Sequence, residues 1–371
     1  MTLLLALAVL PSVAVRPQND LRLYLATAAH YASGNRAAAL REIRQWWPSE
    51  IAGATAALRR EEKRLRSVAK YPDDIDFHTV ETAVLLHAEA GLLFLQDHDL
   101  RRATFHLDTS VELLQWSRRA VAERRNRAEM HRFAFKDRPA DPALEIKESI
   151  EARDFYVALA SAALALGYAE VAGPFASQAA FEAPRDSEVQ LVLGCVASGL
   201  ATEKALQHRD SDATRARESA EKAFRDAVAL DPEMHEARLR LAKLLLDENR
   251  AIDAEPLLAE VDAKATDGRQ RYLACLFLGR AAEHRGRSEE AIRSYRRALE
   301  AWPDSQAARL GLAHALEKSS GPGASRELVG ALLDPSRRPP GLSDPWFLYP
   351  IGPPGLAQAA FERVWDRMVA P

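Results

Sequence analysis

The chain has 371 residues, of which 47% are hydrophobic, 28% charged and only 7% aromatic, and its formal net charge is −3. This hydrophobic content excludes an intrinsically disordered chain, and the nearly neutral balance argues against a nucleic-acid-binding domain, which is usually strongly basic. Because aromatic residues are scarce, the core must depend on alanine, leucine and valine, which pack closely in helices.

Residues 1–14 differ in composition from the rest of the chain. Residues 3–10 are exclusively leucine, alanine and valine, and two small residues, Ser12 and Ala14, end the stretch. This pattern predicts a secretory signal peptide cleaved after Ala14, although no lysine or arginine precedes the apolar run. The alternative is a buried first helix of the fold. No other segment approaches ~20 consecutive apolar residues, so we predict no transmembrane segment.

Residues 20–150 follow a helical periodicity of three and four, with no sustained alternation of the kind that strands require. Turn-forming residues interrupt the pattern at Gly34 and at Asp97-His98-Asp99. This region is therefore predicted to form helical hairpins.

From residue 153 onward a spacing of small and apolar residues recurs. A leucine and a small residue come first, and an alanine follows twelve residues after the small residue. An aromatic residue or alanine comes four residues later, another alanine three residues after that, and a proline five residues further on. Residues 153–186 carry it as Leu159, Ala160, Ala172, Ala176, Ala179 and Pro184. The clearest copy, in residues 272–305, consists of Leu278, Gly279, Ala291, Tyr295, Ala298 and Pro303.

Three other copies depart from the spacing. In residues 187–234 the interval from Gly194 to Ala220 is 26 residues instead of twelve, which predicts longer paired helices or a protruding loop near 202–217. Residues 235–268 lack the closing proline and have Thr266 in its place, and residues 306–335 retain only the first half.

The spacing resembles that of the tetratricopeptide-repeat family, with Cys275 where the family has tryptophan. The resemblance covers about residues 20–340. It implies an all-α, right-handed superhelix of about six to seven repeats, the first hairpins being degenerate and the main array lying in residues 153–340. Small side chains at Gly279 and Ala291 would let the two helices of a repeat cross closely, and Pro303 would end the second helix.

Residues 341–371 combine prolines and glycines with Trp346, Phe347 and Tyr349, and a final amphipathic helix comes after them. Terminal repeats of a solenoid need a cap over their exposed face. We expect this segment and helix to form that cap, and a peptide-docking use of the aromatic residues is the alternative.

Catalytic and metal-binding motifs are not found in the sequence. It contains no H-E-x-x-H, Walker loop, G-x-G-x-x-G or G-x-S-x-G pattern. Cys195 and Cys275 are too far apart for a C-x-x-C site and are predicted to be buried, unbridged thiols. We therefore predict no catalytic residue, no metal and no cofactor.

The resemblance implies that the first helix of each repeat lines a concave groove. Aligning the repeats places an apolar row there, with a basic row one helical turn away and Arg240 adding to it. The apolar row is Val157, Leu191, Leu239, Leu276 and Leu310. The neighbouring row begins with Ser161 and Cys195, and its last three members, Lys243, Arg280 and His314, are the basic row. This arrangement predicts a groove for a protein or extended peptide with apolar and acidic groups, unless Glu236, Glu283 and Glu317 neutralise the basic row.

The function expected from these observations is a non-catalytic protein- or peptide-binding scaffold of bacterial type. If the signal peptide is genuine, the protein is exported, and the periplasm is its expected location; otherwise it is cytoplasmic. Two alternatives remain: an enzyme on an α/α toroid acting on glycans, and a purely structural subunit of an envelope assembly.

Overall fold

The computed structural model describes residues 77–134, 150–321, 323–333, 344–349, 352–353 and 355–369. Throughout these ranges the regular structure is helical, which confirms the expected all-α repeat solenoid. The predicted signal peptide lies outside the described residues. The chain divides into two compact units, residues 1–152 with 362–371 and residues 153–361.

The first unit contains a long helical hairpin, α1 (Phe77–Gln96) and α2 (Leu100–Ala134). The predicted turn at residues 97–99 is present, and His98 adopts a left-handed conformation there with φ of 60°. Leucine and alanine side chains fill the interface between the two helices, and Leu95 and Ala103 are completely buried. The final helix is α14 (Leu356–Val369), and its residues from 362 onward belong to the first unit. Arg367 there forms an ion pair with Glu151 of the same unit.

The second unit is a run of paired helices followed by one helical turn. The helices are α3 (Ala152–Ala165), α4 (Ala169–Glu182), α5 (Ser187–Leu206), α6 (Asp210–Leu230), α7 (His235–Asp247), α8 (Ala251–Lys264), α9 (Gly268–His284), α10 (Ser288–Ala301), α11 (Gln306–Ser320), α12 (Arg326–Leu333) and α13 (Pro345–Leu348).

Side-chain caps mark where several first helices begin. Asp186, Asp267 and Ser305 each accept a hydrogen bond from a backbone N–H in the first turn of α5, α9 and α11, respectively. Such caps satisfy donors that have no partner within the helix. They also fix the residue at which these three helices start, whereas α7 starts after Met234 without a side-chain cap.

The turn inside each pair from α3–α4 to α9–α10 contains one residue with a positive φ. The turn residue between α9 and α10 is Gly286, with φ of 72°, as the sequence predicted. At the equivalent turns Gly167, His208 and Asn249 have φ values of 87°, 57° and 60°. Asparagine tolerates this conformation better than most residues, so the degenerate repeat at 235–268 keeps its turn without glycine.

The closing prolines behave as expected, because α10 ends two residues before Pro303. Helix α8 also ends two residues before Thr266, which stands where other repeats have the closing proline. Proline is therefore not needed to end the second helix of a repeat.

Each helix from α4 to α12 packs against the next, and the first helices also contact one another along the series α5, α7, α9, α11. The first helices thus form one continuous layer, which we call the first-helix face. The signature residues Ala291 and Ala298 are completely buried within this packing.

The additional residues near 202–217 lengthen both helices of their pair. Helices α5 and α6 have 20 and 21 residues, whereas α8 and α10 have 14 each. The alternative of a protruding loop is therefore wrong.

Within the described part of the chain, α5 is long and apolar enough by length and composition to span a membrane, and half of its apolar window is buried inside the protein. It packs against both α4 and α6. Burial of this kind is what the core helix of a repeat requires.

Candidate functional site

The first-helix face carries the residues that the sequence assigned to a groove, but it does not present them as one apolar row. Leu239 is completely buried and Leu276 is 7% exposed, so both serve mainly as packing residues. Leu310, on α11, is 63% exposed. The predicted apolar row is therefore wrong as a continuous binding surface, because only its last member is open to solvent.

The basic row is also paired, contrary to the expectation of unpaired cations. Asp247, at the end of α7, accepts from Lys243 on its own helix at 2.6 Å and forms an ion pair with Arg280 of α9 at 3.0 Å. One carboxylate thus faces two cations from successive repeats. The three groups together keep a net charge of +1.

Two of the three glutamates suggested as neutralising partners have that role. Glu236 pairs with Arg240 at 2.9 Å and with Arg269 at 2.8 Å. Glu283 lies 2.7 Å from the Nδ1 atom of His314. Glu317 instead accepts a hydrogen bond from Ser325 at 2.5 Å. Asp247 and Glu236 each serve two cations, so the positive charge around them is only partly compensated.

Residues 344–349, here called the docked segment, lie on the first-helix face. The carboxylate of Asp344 accepts hydrogen bonds from the Tyr272 hydroxyl at 2.6 Å, the Ser305 hydroxyl at 2.9 Å and the Ala307 backbone N–H at 3.1 Å. It also accepts from the backbone N–H of Trp346 and so caps the helical turn α13. Asp344 thus anchors the segment to α9 and to the start of α11.

Aromatic rings hold the rest of the docked segment. Trp346 and Tyr349 lie edge-on to Phe277 of α9, with ring centroids 5.7 and 5.5 Å from it. Two cations of α7 lie over these rings: the Arg240 guanidinium is 4.1 Å from the Tyr349 centroid, and the Lys243 ammonium is 5.7 Å from that of Trp346. Cation–π attraction of this kind is strongest where water is excluded.

Burial beneath the docked segment is nearly complete. Arg240 is 7% exposed and Tyr349 is 1% exposed. Burial raises the pKa of Tyr349 well above its ordinary value. It likewise raises the pKa of Tyr272, and the hydrogen bond to Asp344 adds to this effect. Both phenols therefore stay neutral, and Tyr272 remains a hydrogen-bond donor.

Two polar atoms in this contact are left without a partner. Neither the Nη2 atom of Arg240 nor the hydroxyl of Tyr349 has a hydrogen-bond partner among the described residues. Buried polar atoms in this state weaken the structure that holds them.

The chain after the docked segment continues along the array towards its beginning. A Cβ atom built on Gly352 would lie 3.5 Å from Cδ2 of Leu164, at the end of α3. Residue 344 thus contacts α9 and the start of α11, residue 349 contacts α7, and residue 352 lies near α3. The segment therefore runs in the direction opposite to the order of the repeats.

The docked segment lies against interior repeats of the array. The contacts of Asp344, Trp346 and Tyr349 lie on α7, α9 and the start of α11, which are interior elements of the array. These three residues therefore do not cover the end of the array. The alternative weighed from the sequence, that the aromatic residues themselves bind a peptide, stays a prediction.

Sequence reasoning found Arg240, Lys243 and the aromatic residues but missed Tyr272, Phe277, Ser305 and Asp344. Tyr272 and Asp344 are 72 positions apart, and no local pattern joins them. The available signal was Asp344 before Pro345 and Trp346, because an aspartate ahead of proline is typical of the start of a helical turn.

The two thiols are placed as the sequence predicted. Cys195 and Cys275 are both buried and free, as predicted. Among the described residues no group of three or more histidine, cysteine, aspartate or glutamate side chains is arranged to hold a metal ion.

Family models match two parts of the array. Two tetratricopeptide-repeat family models match the chain, at residues 213–276 and 274–315. No curated protein sequence matches it.

Several solved structures are similar to parts of the chain. A tetratricopeptide-repeat protein from Parabacteroides merdae is 16% identical, with a TM-score of 0.44, and the match covers 77% of this chain and 90% of that one. MamA from Desulfovibrio magneticus is 20% identical over 51% of this chain and 98% of its own, with a TM-score of 0.40. YrrB, described as a tetratricopeptide-repeat protein with an unusual peptide-binding site, is 15% identical over 56% and 91% of the two chains, with a TM-score of 0.35.

Proposed function

We propose that this chain, a tetratricopeptide-repeat protein by the two repeat regions matched in residues 213–315, is a non-catalytic scaffold that binds a segment of another protein on its first-helix face. Repeat arrays of this family support protein interaction in general. The finer elements of the proposal are the face that binds, the kind of segment bound and the place where binding occurs.

The docked segment is the observation that carries the proposal. The first-helix face already holds a polypeptide, and it does so through a three-donor site for Asp344 and an aromatic platform at Phe277. These groups recognise a side-chain carboxylate and aromatic rings, which is the chemistry of peptide recognition. Leu310, next to this region on α11, adds exposed apolar surface.

Site-specific photo-crosslinking tests the proposal. A photoreactive amino acid at Leu310, on the first-helix face, should crosslink a partner polypeptide in the native host. The matched control is Ile252, which is similarly exposed at 69% but lies at the start of the second helix α8. Crosslinking at Ile252 and not at Leu310 would reject the first-helix face as the binding surface.

The proposal includes export to the periplasm. Its support is the apolar run at residues 3–10 and the small residues Ser12 and Ala14. The mass of the protein isolated from its native host should correspond to a chain that begins at Val15. An uncleaved chain recovered from the cytoplasmic fraction would contradict this part and leave the binding proposal intact.

A further inference from the structure

The docked segment offers an internal template for the partner. Its sequence, Asp-Pro-Trp-Phe-Leu-Tyr, places a carboxylate, an aromatic ring two residues later and a second ring five residues later against one face of the array. Phe347, between the two rings, is 47% exposed and takes no comparable part. Recognition thus depends on three positions of the segment.

The fit is close at two of these positions and incomplete at the third. Asp344 receives three hydrogen bonds from the array, and Trp346 has Phe277 at its edge and Lys243 over its face. Tyr349, in contrast, covers Arg240 and leaves one nitrogen of that guanidinium and its own hydroxyl without partners among the described residues. A segment with an additional acceptor at this position would satisfy Arg240 and bind better than the chain's own residues.

Charge on the surrounding face favours an acidic partner. Lys243 and Arg280 share the single carboxylate of Asp247, so an excess of one positive charge lies beside Trp346. A partner segment with acidic residues flanking its aromatic rings would compensate this charge.

We infer that the first-helix face recognises an acidic segment of another protein with aspartate, an aromatic residue two positions later and an aromatic residue five positions later, and that the docked segment competes with this partner. The inference rests on the proposed function and adds to it the chemistry of the partner and a means of regulation. The docked segment leaves the face open in only a fraction of the molecules. The apparent affinity for the partner equals the intrinsic affinity multiplied by that fraction.

A labelled peptide corresponding to residues 341–351 is the probe, and fluorescence anisotropy with the full chain is the measurement. The chain variant Trp346→Ala/Tyr349→Ala, whose own segment is weakened, should bind the peptide at least about tenfold more tightly than wild type does, because the competitor is lost. The matched control is Phe347→Ala, which changes an exposed aromatic residue of the same segment and should leave the peptide's affinity at the wild-type value.

Peptide variants test the recognition itself. Replacing the aspartate with asparagine, or the tryptophan with alanine, should each reduce binding to the double-variant chain by about tenfold or more. Equal affinity of the original peptide for wild type and for both chain variants would overturn the competition, and failure to bind any of them would overturn the inferred chemistry.

Folding and self-association are checked in the same experiment. Far-ultraviolet circular dichroism should find the helix content of the variants unchanged. If the double variant has lost helicity, Asp344→Asn in the chain replaces it as the decisive variant and must also raise the peptide's affinity. A dimer of the chain that dissociates on adding the peptide would assign the face to a second copy and overturn the inference.

The outcomes separate this inference from the proposed function. If the partner crosslinks at Leu310 but the labelled peptide binds neither wild type nor the variants, the inferred chemistry is wrong and the binding face stands. If crosslinking at Leu310 fails as well, the proposed function falls with it.

Discussion

A Cβ atom placed on Gly279 would lie 2.5 Å from a ring carbon of Tyr295, closer than side-chain carbons approach one another in proteins. A Cβ atom on Gly311, on the next first helix, would lie 2.6 Å from the same ring carbon, Cε1. The Tyr295 ring thus lies between α9 and α11, and its hydroxyl donates to Glu283 at 2.7 Å. Glycine at both positions is a requirement of repeat packing, as the family spacing suggested for Gly279.

Gly279→Ala should therefore destabilise the array, although alanine is the better helix former. We expect a loss of about 1–3 kcal/mol in the free energy of unfolding, because the ring of Tyr295 must move out of a packed interface. The measurement is urea unfolding followed by circular dichroism. Gly330→Ala in α12 is the control, since a Cβ there meets nothing within 4 Å, and it should gain up to about 1 kcal/mol from helix propensity. Destabilisation of both variants by the same amount would contradict the packing argument.

The buried thiols should be unreactive while the protein is folded. Burial raises the pKa of Cys195 to about 11 and that of Cys275 to about 12, so neither forms appreciable thiolate near neutral pH. Alkylation without reductant, followed by mass spectrometry, should leave both thiols unmodified in buffer and modify both in denaturant. Rapid modification of either thiol in the folded protein, or a bridge between them, would disprove this expectation.

The first unit should lose stability in mild acid through His106. Burial, aided by the neighbouring His87, lowers the pKa of His106 to about 2, whereas the unfolded chain titrates near 6.5. Above pH 6.5 the residue is neutral in both states and the stability is fully present. Below that value only the unfolded state takes up the proton, so stability falls by about 1.4 kcal/mol per pH unit as pH decreases towards the folded pKa.

Hydrogen exchange of the α1–α2 amides, compared at pH 7 and pH 5.5, measures this loss. His106→Asn keeps a hydrogen-bonding group near the Nδ1 position, which lies 2.9 Å from Nδ1 of His87, and does not titrate. Its amides should lose less protection on acidification than those of wild type. His98→Asn, an exposed turn position in the same hairpin, should behave like wild type, and a reduced loss in that variant instead would exclude His106 as the cause.

The sequence was most informative where structure depends on local spacing. The interval from Gly279 to Ala291 predicted a helix crossing, and Gly286 predicted the turn. A helical hairpin needs small residues where its helices cross and a residue that can adopt a positive φ in its turn, at fixed distances from each other. The lengthening of α5 and α6 followed from the interval between Gly194 and Ala220, although the sequence did not decide between longer helices and a loop.

The candidate site was only partly predictable, because its contacts join distant parts of the chain. The helical register placed Arg240 and Lys243 on the correct helix, but it could not indicate that Tyr349 would cover one and Trp346 the other. Charge pairing was similarly hidden: Asp247 lies within one turn of Lys243, whereas its bond to Arg280 depends on how successive repeats stack.

Charge reversal of Lys243 and Arg280 tests whether the positive charge on the first-helix face contributes to binding. The double variant Lys243→Glu/Arg280→Glu would place two new carboxylates beside Asp247 and repel an acidic segment, so capture of the partner crosslinked through Leu310 should weaken by about tenfold, or about 1.4 kcal/mol. Added salt should weaken capture by wild type, since screening reduces the same attraction.

The matched control is Arg297→Glu, which likewise breaks an arginine–aspartate pair, with Asp262, but on the second helix α10. It should retain capture at both salt concentrations. If the double variant also retains its partner at both concentrations, the charge of Lys243 and Arg280 has no part in binding, and the aromatic contacts at Phe277 must account for it alone.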